Sequence, residues 1–219
     1  MPQTSSAPHP KTLAPPHPRL IGIAGGSGAG KTTLAQALSL ALGNAAILPM
    51  DAYYHDLTHL DPSIRQHQNF DVPEAFEWDR FIADLVALRG GQPIRRPVYD
   101  FTTHTRRTED VPVKPGKYLI VEGLFVLHDK HVRDLLHTTI FLEVDHATAL
   151  ARRLARDRRF RARTPRQIQA QFIGDVLPMY ERHIQPTAQW ADLKMSGAAS
   201  VDTIIHRLRS RIVNPPRPM

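Results

Sequence analysis

Gly25-Gly26-Ser27-Gly28-Ala29-Gly30-Lys31-Thr32-Thr33 follows directly on the apolar run Leu20-Ile21-Gly22-Ile23-Ala24. Gly25, Gly30, Lys31 and Thr32 satisfy the spacing G-x-x-x-x-G-K-[ST], and that spacing has a physical cause. Glycines let the backbone curl until successive N–H groups point inward at phosphate oxygens. The helix that begins near Lys31 adds the positive end of its dipole. Lys31 is placed to reach the β- and γ-phosphates, and the Thr32 hydroxyl to hold Mg²⁺. A glycine-rich turn without a ligand is the plain alternative, but strand, loop and helix signals surround the motif in the order the chemistry requires. The stretch predicts a nucleoside triphosphate with magnesium and leaves open what receives the phosphoryl group.

At 219 residues, with 42% hydrophobic and 22% charged, the chain suits one well-buried domain and is short for two. The absence of cysteine excludes a disulfide framework and thiolate metal sites. Its longest apolar run, Tyr118 to Leu127, is broken by Glu122 and is about half the length of a bilayer-spanning helix, so no membrane span is expected. Residues 1–19 are rich in Pro, Ser and Thr, lack the apolar core of a secretory signal and read as a disordered tail, which predicts a cytoplasmic location. Residues 214–219 read as a Pro-rich C-terminal tail. The net charge of +7 is concentrated in Arg152, Arg153, Arg156, Arg158, Arg159, Arg161, Arg163 and Arg166, with Asp157 alone opposing them. One basic segment serves a bound triphosphate as readily as a polynucleotide, and charge by itself does not choose the partner.

Strand patterns at Leu20–Ala24, Ala45–Pro49, Tyr118–Val121 and Thr138–Val144 alternate with helical spacing at 32–42, at 132–136 and at 146–161. Pro73 opens a further predicted helix carrying Phe76, Phe81, Leu85 and Leu88, and Gly90-Gly91 stops it. Residues 52–75 read as irregular, and 92–113 as a hairpin insertion rich in prolines and β-formers. Thr164-Pro165 starts a helix to about His183, with a break expected at Pro178. A last amphipathic helix covers 200–213. The alternation implies an α/β fold: an open parallel sheet with helices on both faces, forming one domain over 20–213.

In such a sheet the ligand crevice lies beyond the carboxyl ends of the strands. Asp51 follows the second strand and Glu122 the third, two carboxylates suited to a metal shell and an acceptor hydroxyl. Helix capping or pairing with arginine is their plainer reading. His55 with His59 and His128 with His131 have ligand-like spacing but no third ligand, so a zinc centre is not expected. Tyr53, Tyr54, Phe76 and Trp78 read as core or nucleoside contacts, since no nucleic-acid motif accompanies them.

Beyond the phosphate loop, several segments carry a resemblance. They are Asp51-Ala52-Tyr53-Tyr54, Asn69-Phe70-Asp71-Val72-Pro73-Glu74-Ala75-Phe76, Val98-Tyr99-Asp100-Phe101-Thr102-Thr103-His104-Thr105-Arg106, Val121-Glu122-Gly123 and Arg152-Arg153-Leu154-Ala155-Arg156-Asp157. From about Leu20 to about Asp192 the chain resembles the uridine–cytidine kinases of the P-loop nucleoside kinase group. The resemblance implies a P-loop fold, ATP or GTP as donor with Mg²⁺, a small nucleoside acceptor and a homotetramer. It implies that Asp51 is the general base toward the ribose 5′-hydroxyl, with Thr32, Asp51 and Glu122 linked to magnesium. Asp71 would bind the 2′- and 3′-hydroxyls, with Arg153 beside it. Tyr99 and His104 would meet the pyrimidine edge, Phe70 and Phe101 its apolar walls, and Gln171 a further part of the nucleoside, with Tyr54 also among the substrate contacts. Arg156, Arg161 and Arg163 fall on a lid, about 156–166, that closes over the phosphates beside Lys31.

Physical chemistry supports these roles without deciding them. A vicinal diol offers two donors to one carboxylate, but Asp71 also suits an N-cap before Pro73. A neutral imidazole can donate or accept, so His104 can meet uracil or cytosine, or be a surface histidine. Arg156, Arg161 and Arg163 would neutralise charge on the transferred phosphoryl group, while Arg152, Arg158 and Arg159 read as a solvated face. Ala162 stands where the family has glycine, and Phe160 where a polar residue is usual, which bears on lid flexibility. The rivals are a P-loop kinase for a phosphorylated sugar or pantothenate, a nucleotide-hydrolysing switch protein, and a nucleic-acid-binding module.

Overall fold

The computed structural model describes residues 17–160 and 164–213. Most of the expected N-terminal tail, the C-terminal tail, Arg161 and Arg163 lie outside the described residues. The chain runs through β1 (Arg19–Gly25), α1 (Lys31–Ala41), β2 (Ala46–Pro49), a 3₁₀ turn (Met50–Tyr53), α2 (Pro62–Arg65), a second 3₁₀ turn (Pro73–Ala75) and α3 (Trp78–Arg89). Four short strands follow: β3 (Ile94–Arg96), β4 (Tyr99–Asp100), β5 (Thr105–Arg106) and β6 (Val111–Val113). The remainder is β7 (Tyr118–Glu122), α4 (Lys130–Leu135), β8 (Thr138–Glu143), α5 (His146–Phe160), α6 (Pro165–Gln171), a run of wide and tight turns around α7 (Leu177–Met179), β9 (Leu193–Ser196) and α8 (Val201–Val213).

The main sheet has the order β2-β7-β1-β8-β9 and every pairing in it is parallel. β1 reads as an unbroken apolar run because both of its faces are covered. Successive side chains point to opposite faces, so Leu20 and Ala24 join Phe81, Leu85 and Leu88 of α3. Ile21 and Ile23 join Leu34, Ala35 and Leu38 of α1 and Ile204 and Leu208 of α8. Register brings the carboxyl ends to one edge: Gly25 stands opposite Leu142, and Glu122 opposite both Ile23 and Pro49. Among the described residues no helix is long and apolar enough to cross a membrane.

Local chemistry departs from the sequence reading in four places. Pro73 opens only a 3₁₀ turn, and α3 starts at Trp78. Phe76 between them is extended and bridges to Tyr54, because its ring packs against Tyr54 and Phe125 in the core. Pro178 breaks nothing: π turns at Phe172–Val176 and Tyr180–Ile184 flank it, and their wider spacing accommodates the missing N–H. The 92–113 segment is two ladders, β3 with β6 and β4 with β5. β9 completes the sheet where no strand was expected.

Glycine is required where the phosphate loop leaves the sheet. Gly25 has φ +143°, and a Cβ on it would sit 2.4 Å from the Leu142 carbonyl oxygen. Gly43 also has positive φ, +79°, but nothing lies within 4 Å of its missing Cβ. Gly25→Ala should therefore cost about 3 kcal/mol or more, from strain plus overlap. Gly43→Ala should cost about 1 kcal/mol, from strain alone. Urea unfolding midpoints of the two variants check the difference, and equal shifts would contradict it.

Candidate active site

The first wall of the site is the phosphate loop between β1 and α1. Gly28 and Gly30 have φ of +82° and +95°, the left-handed geometry that turns consecutive N–H groups to one side. Thr32 Oγ1 donates to Glu122 Oε1 at 3.0 Å, tying the start of α1 to the end of β7. Lys31 Nζ donates to the Gly26 carbonyl at 3.0 Å and so folds back over the loop.

The second wall comes from the ends of β2 and β7. A Cβ on Gly123 would sit 2.5 Å from Met50 Cβ, so only glycine lets the turn after β2 approach the end of β7. That approach sets Asp51 beside Glu122. Asp51 Oδ1 is buried and has no hydrogen-bond partner among the described residues. Burial pushes the Glu122 carboxyl above the ordinary carboxylate range, and the charge of Asp51 adds to the rise against Lys31 and Thr32. Desolvation also lowers the Lys31 ammonium, against the pull of Glu122 and Asp51. An oxygen-only set of Thr32, Glu122 and Asp51 beside a lysine suits a hard divalent cation carried by phosphates.

The third wall is the irregular segment before α3 together with the small hairpin. Asp71 is buried, its backbone N–H held by Asn69 Oδ1 at 2.9 Å. Burial raises its carboxyl, partly countered by Arg153. Tyr54 hydroxyl donates to the Phe70 carbonyl at 3.1 Å, and the Tyr54 ring packs against Phe70, Tyr99 and Phe101. His104 caps the β4–β5 turn at φ +55° and stacks on Phe70, centroids 4.4 Å apart and planes within 14°. The two rings already touch, so a planar ligand packs beside them rather than between them. Arg106 anchors the hairpin, donating to Glu77 Oε1 at 3.0 Å and to the Tyr54 carbonyl at 2.8 Å.

The fourth wall is α5 with α6. Arg153 Nη1 donates to Ser27 Oγ at 2.9 Å and Nη2 to Gln171 Oε1 at 2.8 Å, so one side chain spans the phosphate loop and α6. Arg156 stands beside it.

Ser27, Lys31, Thr32, Asp51, Tyr54, Phe70, Asp71, Phe101, His104, Glu122, Arg153, Arg156 and Gln171 thus line one cleft. One expectation needs correction. Tyr99 does not reach the cleft; its ring is held behind Tyr54 and Phe101, and its buried hydroxyl has no hydrogen-bond partner among the described residues. Arg152 is exposed, in keeping with its reading as part of a solvated face, and also donates to the carbonyls of Gly28 at 3.1 Å and Gly197 at 3.0 Å. Leu124 lines the cleft and went unread, although its place just beyond the β7 end is the same signal that marks Glu122.

The family model described as phosphoribulokinase / uridine kinase matches residues 20–204. A uridine kinase of Latilactobacillus sakei is 38% identical over 201 residues, 88% of this chain and 94% of that protein. A uridine kinase of Leuconostoc citreum is 40% identical over 180 residues, 80% of this chain and 86% of that protein. Among solved structures, phosphoribulokinase from Rhodobacter spheroides superposes with a TM-score of 0.62 at 14% identity, covering 82% of this chain and 70% of that one, a likeness of fold. The chain belongs to the phosphoribulokinase / uridine kinase family and is a phosphotransferase on the P-loop fold.

Proposed function

We propose that this protein transfers the γ-phosphoryl group of ATP to the ribose 5′-hydroxyl of uridine and cytidine, giving UMP and CMP. The observation that carries the reading is the sharing of one cleft by two chemistries. Lys31 and Thr32, suited to a phosphate donor, and Asp71, Phe70, Phe101 and His104, suited to a nucleoside, line the same cleft, and the charge of Asp51 acts on both Lys31 and Asp71. The names of the relatives, uridine kinase, point the same way.

On this reading Asp71 accepts both hydroxyls of the ribose diol, which fixes the sugar and turns its 5′-end toward Asp51. The base lies against Phe70, Phe101 and Tyr54, with the His104 imidazole at its edge, where a ring that can donate or accept tolerates both the 4-oxo and 4-amino groups. Arg153 and Gln171 close the sugar side. Asp51 orients the 5′-hydroxyl and takes its proton as the bond to phosphorus forms. Lys31 and Arg156 meet the charge that spreads over the transferred oxygens, and the resemblance adds Arg161 and Arg163 to that task. Thr32, Glu122 and Asp51 would hold Mg²⁺, which when bound neutralises phosphate charge.

Incubation of a nucleoside panel with ATP and magnesium, scored by product mass, should yield UMP and CMP and no product from phosphorylated sugars. ATP hydrolysis indifferent to nucleosides would overturn the reading. Asp51→Asn should lower turnover by about 10²–10⁴-fold while leaving ATP affinity within a few-fold. Near-normal turnover of that variant would remove Asp51 from its role.

A second prediction follows from the buried carboxyl of Asp71. Its pKa is raised, so the ionised form that accepts the diol is lost as pH falls through a midpoint above the ordinary carboxylate value of about 4. With Mg²⁺ and ATP saturating, kcat/KM for uridine should fall on the acid side with that elevated midpoint. Asp71→Asn should abolish the preference for uridine over 2′-deoxyuridine, measured as a ratio of kcat/KM. An unchanged ratio would assign the diol to another group.

A further inference from the structure

Behind the arginines of the cleft lies a carboxylate that the chemistry above does not use. Asp157 is 0% exposed, a burial that an ionised carboxylate tolerates only when opposite charge and hydrogen bonds answer it. Helix α5 supplies both, because Arg153 is one turn away and Arg156 is adjacent. Asp157 Oδ1 accepts from Arg156 Nε at 2.7 Å, and Oδ2 stands 3.5 Å from Arg153 Nε. Both contacts are made at Nε, the root of the guanidinium, and leave the Nη groups for other partners. Those of Arg153 reach Ser27 and Gln171. Those of Arg156, which lines the cleft, meet no hydrogen-bond partner among the described residues.

We propose that Asp157 is a positioning residue for phosphoryl transfer. Its one buried carboxylate fixes two guanidinium groups from behind, so that the Arg156 Nη pair faces the transferred phosphoryl oxygens while Arg153 braces the phosphate loop against α6. The proposal rests on the function stated above. A planar guanidinium delivers two parallel hydrogen bonds only when its plane is set, and a second cation nearby would otherwise push it aside. Asp157→Asn keeps an acceptor for one arginine but turns an N–H donor toward the other and removes the charge that holds them together.

The test is a double-mutant cycle on Asp157→Asn and Arg156→Gln, with kcat, KM, Mg–ATP affinity and melting temperature measured for all four proteins. Asp157→Asn should lower kcat about tenfold or more, exceeding any change in KM, and should lower it less than about threefold when Arg156 is already Gln. A merely structural carboxylate would lower the melting temperature and leave kcat per folded enzyme unchanged. That result, or equal losses in both backgrounds, overturns the proposal. Arg156→Lys covers the case in which Asp157→Asn does not fold: lysine keeps the charge but cannot hold Asp157 and phosphate at once, so kcat should fall about tenfold or more, and a parental kcat overturns the proposal. If the parent makes no nucleoside product, the function reading fails. The cycle is then decided by Mg–ATP affinity, which Asp157→Asn should weaken several-fold only where Arg156 is present; additive effects overturn it.

Discussion

Parallel pairing of β1 with β7 on one side and β8 on the other is the constraint on which the rest of the molecule depends. It sends the carboxyl ends of the central strands to one edge and forces each connection back over a face of the sheet. At that edge the chain cannot spread out: Gly25 lies against the Leu142 carbonyl, and Gly123 against Met50. These two contacts put the phosphate loop, Asp51 and Glu122 within reach of one another. The hydrogen bond from Thr32 to Glu122 then locks the start of α1 to the end of β7.

Gathering charge in this way works against folding. The Asp71 and Glu122 carboxyls are pushed up and the Lys31 ammonium down, each mainly by removal from water. On the function proposed above, ligands would relieve these costs: phosphates and a cation for Lys31 and Glu122, a diol for Asp71. Away from the cleft, several charged groups meet ordinary partners. Arg106 pairs with Glu77 at 2.9 Å, and Asp129 caps α4 through the Val132 N–H.

Much of this was legible in the chain. The phosphate loop and the strand-end carboxylates declare themselves because their chemistry depends on adjacent residues and on strand termini, both local properties. What was not legible depends on distant partners. β9 is four residues of mixed polarity at the sheet edge, too short for a periodic signal, and forms because β8 offers an open edge. Pro73 and Pro178 were read by local rules, but core packing of Phe76 overrode the first and wide helical turns the second. Tyr99 lies in a segment whose neighbours do line the cleft, and only the packing of Tyr54 and Phe101 shows that its ring is turned behind them. Arg152 is solvated as read, but its contacts with Gly28 and Gly197 depend on residues far away in the chain.

The central claim is that donor and acceptor meet across Asp51. A crystal structure with uridine and a non-hydrolysable ATP analogue tests it most directly. The account predicts the ribose diol on Asp71, the base against Phe70 and Phe101, and the 5′-oxygen about 3 Å from an Asp51 oxygen, facing the γ-phosphate. A well-ordered nucleoside whose 5′-oxygen points away from Asp51, or that lies outside this cleft, would contradict it.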